Sequence, residues 1–240
     1  MESNKPTLHY MQNSASQQSL WLLEELGIEY DLVLHTREGG RAAPALKNTH
    51  PLGKAPQLVT GSGRVIAERS AIAYYLIETY DHAGRFKVPA SGSPGHDSVN
   101  NDKIREEQLL SVGQTTLNQF FSIKSIFGGF AYATPFFVRP LILGLKLALE
   151  KAFIDGEIDN ALKFLDSELE GRQYFNGTTE LTRIDFILQW YVDFGVRGGS
   201  DVDISKYPNL KGWYERCMSR DAWKRALEKG NGYDLTFWKK

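Results

Sequence analysis

Thr7 to Met11 alternates apolar and polar residues in a β-prone run. From Ser16 to Leu26 the spacing turns helical, with Leu20, Leu23 and Leu22, Leu26 on one face, and Gly27 ends the helix. Tyr30 to His35 alternates again, so the first stretch reads as a βαβ unit with a parallel strand pair. After Gly39-Gly40 and a short polar helix, two strands at Gln57–Thr60 and Arg64–Ala67 flank the hairpin loop Gly61-Ser62-Gly63. A helix over Ser70–Tyr80, burying Ile72, Leu76 and Tyr80, closes this half as βαβ-αββα.

Gly84, Pro89, Gly92, Pro94 and Gly95 then interrupt any regular element. This divides the chain into an α/β domain at 1–85, a linker at 86–99 and an all-helical domain at 100–240. In the second half the clearest helical stripe is Ile158, Leu162, Leu165 and Leu169. Pro208 sits at a helix start, where its missing N–H costs nothing, and no internal repeat is evident. Phe136 to Leu149 is strongly apolar but is broken by Arg139, Pro140 and Lys146. It is too short for the roughly 20 residues of a membrane span and reads as a core or interface helix.

Composition narrows the chemistry. The 240 residues are 42% hydrophobic and 12% aromatic, enough to fill a sizeable core. A formal charge of −1 leaves no whole-protein field to draw nucleic acid or an anionic membrane, and favours a small neutral or zwitterionic partner. The lone Cys217 excludes an intrachain disulfide or a CxxC pair and reads as inert packing. The five histidines lack ligand spacing, so no metal is expected. Met1 to Thr7 is polar and carries no secretory or transit pattern, and Asn176-Gly177-Thr178 then reads as a turn rather than a glycosylation site.

Four short patterns stand in order: Gln12-Asn13-Ser14-Ala15-Ser16 before the first helix, His50 to Leu58 (HPLGKAPQL), Ala67-Glu68-Arg69-Ser70-Ala71-Ile72, and Leu181-Thr182-Arg183-Ile184-Asp185. Helix N-termini follow the first and third, and their free N–H groups and positive dipole ends suit an anion. Thr182 and Asp185 keep the spacing of an N-terminal capping box, which governs folding rather than turnover.

As an ordered set these patterns, with Leu20 to Tyr30 and Tyr207-Pro208-Asn209-Leu210 followed by Trp213, resemble the cytosolic glutathione transferases. The similarity is greatest to fungal members related to the yeast enzyme found with the endoplasmic reticulum. It covers nearly the whole chain and implies a thioredoxin-like glutathione-binding domain followed by a helical domain that holds a hydrophobic electrophile. It further implies a homodimer built on the Ser70–Tyr80 helix and the first helices of the second half. The location it implies is cytoplasmic, with a peripheral position at the endoplasmic reticulum as the variant. The role would be detoxification or fungal secondary metabolism.

By the same resemblance the bond before Pro56 is cis, and Ala55 pairs through its backbone with the cysteinyl part of glutathione. Lys54 meets the glycyl end, and Glu68 and Arg69 face the γ-glutamyl group beside Ser70. Arg69 stands where the family usually has Ser, which assigns its guanidinium to the γ-glutamyl carboxylate as a paired contact. Ile184 likewise replaces a usually small residue.

The thiol must be kept ionised, and the candidate donors are Ser14, Tyr10, Asn13 and Ser16. Ser14 matches the serine-type branch and is preferred, Tyr10 matches the tyrosine-type branch as the alternative, and Asn13 is a supporting donor. Ser14 and Ser16 also fit plain helix caps. Lowering a thiol pKa from about 8.5 to roughly 6.5 raises thiolate about 25-fold at pH 7 but lowers its nucleophilicity about 8-fold. Holding the two substrates together therefore carries most of the rate. Phe120, Phe121 and Phe127 are the expected electrophile-pocket residues. A non-catalytic glutathione-binding regulator and a glutathione-dependent peroxidase are the competing functions. A thioltransferase needs a cysteine in the first turn, and residues 12–16 have none.

Overall fold

The computed structural model describes residues 5–88, 103–176 and 179–239. Strand β1 (Thr7–Met11), helix α1 (Ser16–Leu26) and β2 (Asp31–His35) form the βαβ unit. The short α2 (Leu46–Thr49), β3 (Gln57–Val59), β4 (Val65–Ala67) and α3 (Arg69–Tyr80) complete the domain. The sheet runs β2-β1-β3-β4, with β1 and β2 parallel from Thr7↔Asp31 to Met11↔His35, and the other pairs antiparallel.

Leu8 and Tyr10 of β1 enter the main core with α1 and α3, while Met11 packs in a separate small cluster with Ala43 and Leu46. Gly27 takes φ 65°, the left-handed cap that stops α1 where its periodic leucines end. Helix α3 begins one residue earlier than the pattern predicts, and Tyr80 is half-buried rather than buried. Phe86, at the start of the predicted linker, is buried against Phe186 with ring centroids 5.5 Å apart. Residues 89–99 of that linker, and Gly177 and Thr178 of the predicted turn, lie outside the described residues.

Among the described residues the second half is helical throughout. Helix α4 (Lys103–Ser111) runs through a π-turn into α5 (Asn118–Ala133), and α6 (Arg139–Leu149) runs through another into α7 (Asp155–Glu168). Helix α8 (Arg183–Arg197) is the buried centre, flanked by α9 (Pro208–Ser219) and α10 (Asp221–Lys229). Gly113 allows the α4–α5 helix to approach α8, since a Cβ there would stand 2.5 Å from Leu188 Cδ2. Trp21 of α1 joins the halves, packed on Phe186 at 4.7 Å and on Trp223 at 5.4 Å.

The capping box forms as read. Asp185 Oδ2 accepts the Thr182 N–H at 2.7 Å, and Oδ1 accepts the Trp213 indole N–H at 2.8 Å and the Phe175 N–H at 3.3 Å. The core half of the prediction for Phe136–Leu149 fails. Helix α6 buries no residue, and Phe136, Phe137 and Leu141 are 82%, 71% and 65% exposed. No described helix is long and apolar enough to cross a membrane.

Asp185→Ala strands three buried donors at once. It is expected to lower stability by about 3–4 kcal/mol in chemical denaturation, and an unchanged midpoint would contradict the assignment.

Candidate active site

Three chain segments place the candidate residues: the β1–α1 turn, the loop before β3, and the start of α3. In the first, Asn13 takes φ 50° and so turns the chain sharply between strand and helix. Ser14 Oγ lies 2.7 Å from the Met11 carbonyl and 2.9 Å from Ser16 Oγ, and it accepts the Ser16 N–H at 3.1 Å. Its single proton is therefore already committed within the turn, and the Met11 N–H donates to Ser16 Oγ at 3.1 Å. The pair of serines braces the helix start.

Tyr10 is fully buried, and its hydroxyl donates to Gln17 Oε1 at 2.8 Å, with the Gly232 carbonyl at 3.3 Å. Burial pushes its pKa well above the ordinary phenol value, so it neither ionises nor spares a proton here. Asn13 differs. Its Oδ1 accepts the Asp234 N–H at 2.7 Å, which fixes the amide's orientation and turns Nδ2 the other way. That NH2 donates to no described residue.

In the second segment the Ala55–Pro56 bond is cis, with Pro56 buried, Ala55 half-buried and Lys54 exposed. In the third, Glu68 takes φ 72° directly before α3 and is exposed, while Ser70 is half-buried in the helix's first turn. Arg69 reaches across to the helical domain: Nη2 donates to the Tyr191 hydroxyl at 2.7 Å, and the guanidinium lies 4.8 Å from the Tyr191 ring centroid.

An apolar cavity of about 320 Å³ opens between α5, α8 and the C-terminal tail, lined by Phe121, Ile126, Trp190, Tyr191, Phe194 and Trp238 among others. Its size suits a small organic molecule. Of the three phenylalanines named from sequence, Phe121 lines it; Phe120 packs on Phe153 at 5.7 Å, and Phe127 is half-buried outside the lining. A larger, more charged groove of about 500 Å³ lies between α3 and α4, and its lining includes none of the β1–α1 turn.

The sequence reading missed Trp190, Tyr191, Phe194 and Trp238. Trp190 and Phe194, four apart on one helix, were the available signal. Trp238 gave none, because its hydrogen-bond and cation partners, Asn13 and Arg37, are more than 200 residues upstream. Its indole N–H donates to the Asn13 carbonyl at 3.1 Å, and its ring stacks under the Arg37 guanidinium at 4.6 Å. Gly232 accepts the Asn13 N–H at 3.1 Å, so residues 230–239 strap the turn and finish the cavity wall together. Among the described residues no group of His, Cys, Asp and Glu is placed to hold a metal.

A four-stranded βαβ-αββα domain with a cis-proline loop, joined to a helical domain that carries an apolar cavity, is the thioredoxin-like transferase architecture. Residues 14–79 match the glutathione S-transferase N-terminal domain and residues 137–221 the glutathione S-transferase C-terminal domain, together more than half the chain. The chain belongs to the glutathione S-transferase family of enzymes. It is 26% identical to glutathione S-transferase 3 of Schizosaccharomyces pombe, covering 96% of this chain and 90% of that one. It is 24% identical to glutathione S-transferase 1 of Saccharomyces cerevisiae, covering 96% and 97%. A solved glutathione S-transferase from Actinobacillus pleuropneumoniae superposes with a TM-score of 0.72 at 27% identity, covering 98% and 96%.

Trp238→Ala removes one of the strap's bonds to the turn and its stack on Arg37. Amide hydrogen exchange at Asn13 and Asp234 should quicken at least about tenfold while the α8 core stays protected; unchanged exchange would mean the tail is held elsewhere.

Proposed function

We propose that this protein joins the thiolate of glutathione to a small apolar electrophile, with Asn13 as the side chain that holds the sulfur. One observation carries this: the Asn13 NH2, which donates to no described residue, stands in the turn that leads into α1, while the carbonyl of the same residue is bonded by Trp238, a wall of the apolar cavity. Thiol and electrophile thus meet at one residue. Ser14 and Tyr10 have their protons engaged inside the protein, which favours Asn13 over both.

The rest of the glutathione site follows from the segments around it. The Ala55 backbone beside Pro56 pairs with the cysteinyl unit, and Lys54, exposed and cationic, meets the glycyl carboxylate. The opening N–H groups of α3 and Ser70 take the γ-glutamyl carboxylate, with Glu68 on its ammonium. Arg69, held by Tyr191 on α8, is assigned to the electrophile's side of the site.

The thiolate gains from the Asn13 side-chain NH2 donor and from the positive end of α1, both of which favour the charged sulfur over the neutral thiol. The second domain then confines the electrophile against it, which is where the larger share of acceleration arises.

Asn13→Asp keeps the acceptor for Asp234 and tolerates the turn, but replaces the donor by a carboxylate oxygen. Calorimetry should still detect glutathione binding, whereas the bound thiol's pKa, followed by thiolate absorbance, should rise by at least about one unit. Ser14→Ala should shift it less. No heat at millimolar glutathione in the parent protein would sink the assignment, and an unmoved pKa in Asn13→Asp would remove Asn13 from it.

The active form is a homodimer. Tyr74 of α3 and Ile104 of α4 are exposed, and α6 adds an uncovered apolar face, all more than a lone subunit leaves open at random. Light scattering should give about twice the 27.1 kDa chain mass, and a stable monomer at micromolar concentration would count against it.

A further inference from the structure

We propose that Asp193, buried on α8 in the helical domain, is a positioning residue for the thiolate: by holding the Tyr233 hydroxyl it sets which end of the Asn13 side-chain amide faces the sulfur. The inference rests on the transferase reading above and extends the same site into the second domain.

Asp193 is fully buried, and its carboxylate accepts the Arg197 guanidinium at 2.6 Å, from one turn further along the same helix, and the Tyr214 hydroxyl of α9 at 2.6 Å. A further charge-assisted bond comes from the Tyr233 hydroxyl of the tail, also at 2.6 Å. Arg197 and Tyr214 already meet both carboxylate oxygens, so the buried charge is paired without the tail. What Tyr233 adds is a fixed point on residues 230–239. Its ring is held too, with Trp223 edge-on at 5.6 Å and the Arg197 guanidinium 5.2 Å from its centroid.

That fixed point lies between two tail residues that grip Asn13. Gly232, directly before Tyr233, accepts the Asn13 N–H at 3.1 Å, and Asp234, directly after it, donates its N–H to Asn13 Oδ1 at 2.7 Å. The second bond carries the orientation. The two ends of an amide are nearly equal in size and differ in hydrogen bonding, and among the described residues the Asp234 N–H is the group that keeps Oδ1 toward the tail and Nδ2 toward the site. If that N–H recedes, the amide can turn over and present its oxygen to the sulfur. An acceptor there disfavours negative charge, so the thiol keeps its proton to higher pH. The Trp238 bond makes no such distinction, because it engages the main-chain carbonyl of Asn13.

The anchor holds across the range in which the thiol titrates. Burial first, and then the charge of Asp193, push the Tyr233 phenol well above its ordinary pKa, and the same causes raise Tyr214. Both stay protonated and donating while the glutathione thiol ionises, so a shift in the thiol's titration when Tyr233 is altered reports on the sulfur and not on a phenol. Tyr214 supplies the matched comparison. It donates to the same carboxylate, but from α9, and the described bonds to Asn13 come from Arg37 and the tail.

Tyr233→Phe keeps the enclosed ring and deletes only the hydroxyl. Thiolate absorbance against pH, with glutathione bound, should show the thiol pKa raised by about half a unit, which is roughly threefold less thiolate below that pKa. Calorimetric affinity for glutathione should stay within about twofold. Tyr214→Phe should leave the pKa unmoved. In an Asn13→Asp background Tyr233→Phe should add nothing, since the donor whose orientation it controls is gone. Asp193→Asn keeps an oxygen for Tyr233 but not the charge that draws it; it should raise the pKa in the same direction, and it tests the same link if Tyr233→Phe does not fold. An unmoved pKa in folded Tyr233→Phe or Asp193→Asn, or an equal rise in Tyr214→Phe, would overturn the proposal while leaving Asn13 as the donor. An additive shift in the Asn13→Asp background would overturn it too, by showing that Tyr233 acts elsewhere. An unmoved pKa in Asn13→Asp alone would instead remove the donor reading, and the proposal with it.

Discussion

Helix α1 is enclosed almost completely, and its polar residues are enclosed with it: ten of its eleven residues are buried, including Gln17, Gln18, Glu24 and Glu25. Each must find partners where water cannot supply them, and the partners come from both domains. Gln18 donates to Gln189 at 2.7 Å, Glu25 accepts Arg220 at 2.9 Å, and Glu24 accepts Arg225 at 2.9 Å along with Tyr30 and Lys229. Burial alone would raise the Glu24 pKa, yet hydrogen bonds from Lys229, Tyr30 and Arg225 hold it below the ordinary value. One helix thereby ties the halves of the molecule together, and the turn at its N-terminus is fixed relative to both.

That fixation explains the division of labour at the site. Shifting a thiol's pKa changes nucleophilicity against itself, so the ionised fraction alone yields little net rate. What the architecture supplies is relative position: α1 presents the turn, α8 presents Trp190 and Tyr191, and the tail presents Trp238 to both. A static scaffold of this kind reduces the reorganisation that a reaction between two separate molecules otherwise requires.

Much of this was legible in the sequence, and the limits are physical. The bounds of β1 and α1 follow from a change of hydrophobic period ended by Gly27, and the Thr182–Asp185 box from its spacing, because both are local. The four ordered patterns placed the turn, the cis-proline loop and the α3 start correctly in the fold. Sequence could put hydroxyls at Tyr10 and Ser14, but which acceptor takes each proton depends on Gln17, Gly232 and the Met11 carbonyl, which only the folded chain assembles. The cavity wall was harder still. Phe120 and Phe121 are adjacent in sequence, and helical rotation sends one toward Phe153 and the other into the cavity. The exposure of α6 was hidden for the opposite reason, since a run rich in leucine reads as buried whatever covers it.

The tail holds the turn chiefly through the main chain. Gly232 and Trp238 bond the N–H and carbonyl of Asn13, and Asn231 donates to the carbonyl of His35 at 3.1 Å. Among the described residues, only the Asp234 contact involves a side chain of the turn. Backbone groups are the same whichever amino acid carries them, so mutation at the turn leaves most of the closure intact. A side chain at the turn can therefore be exchanged over evolutionary time without rebuilding the backbone closure, and new chemistry can be tried on a container that is already made.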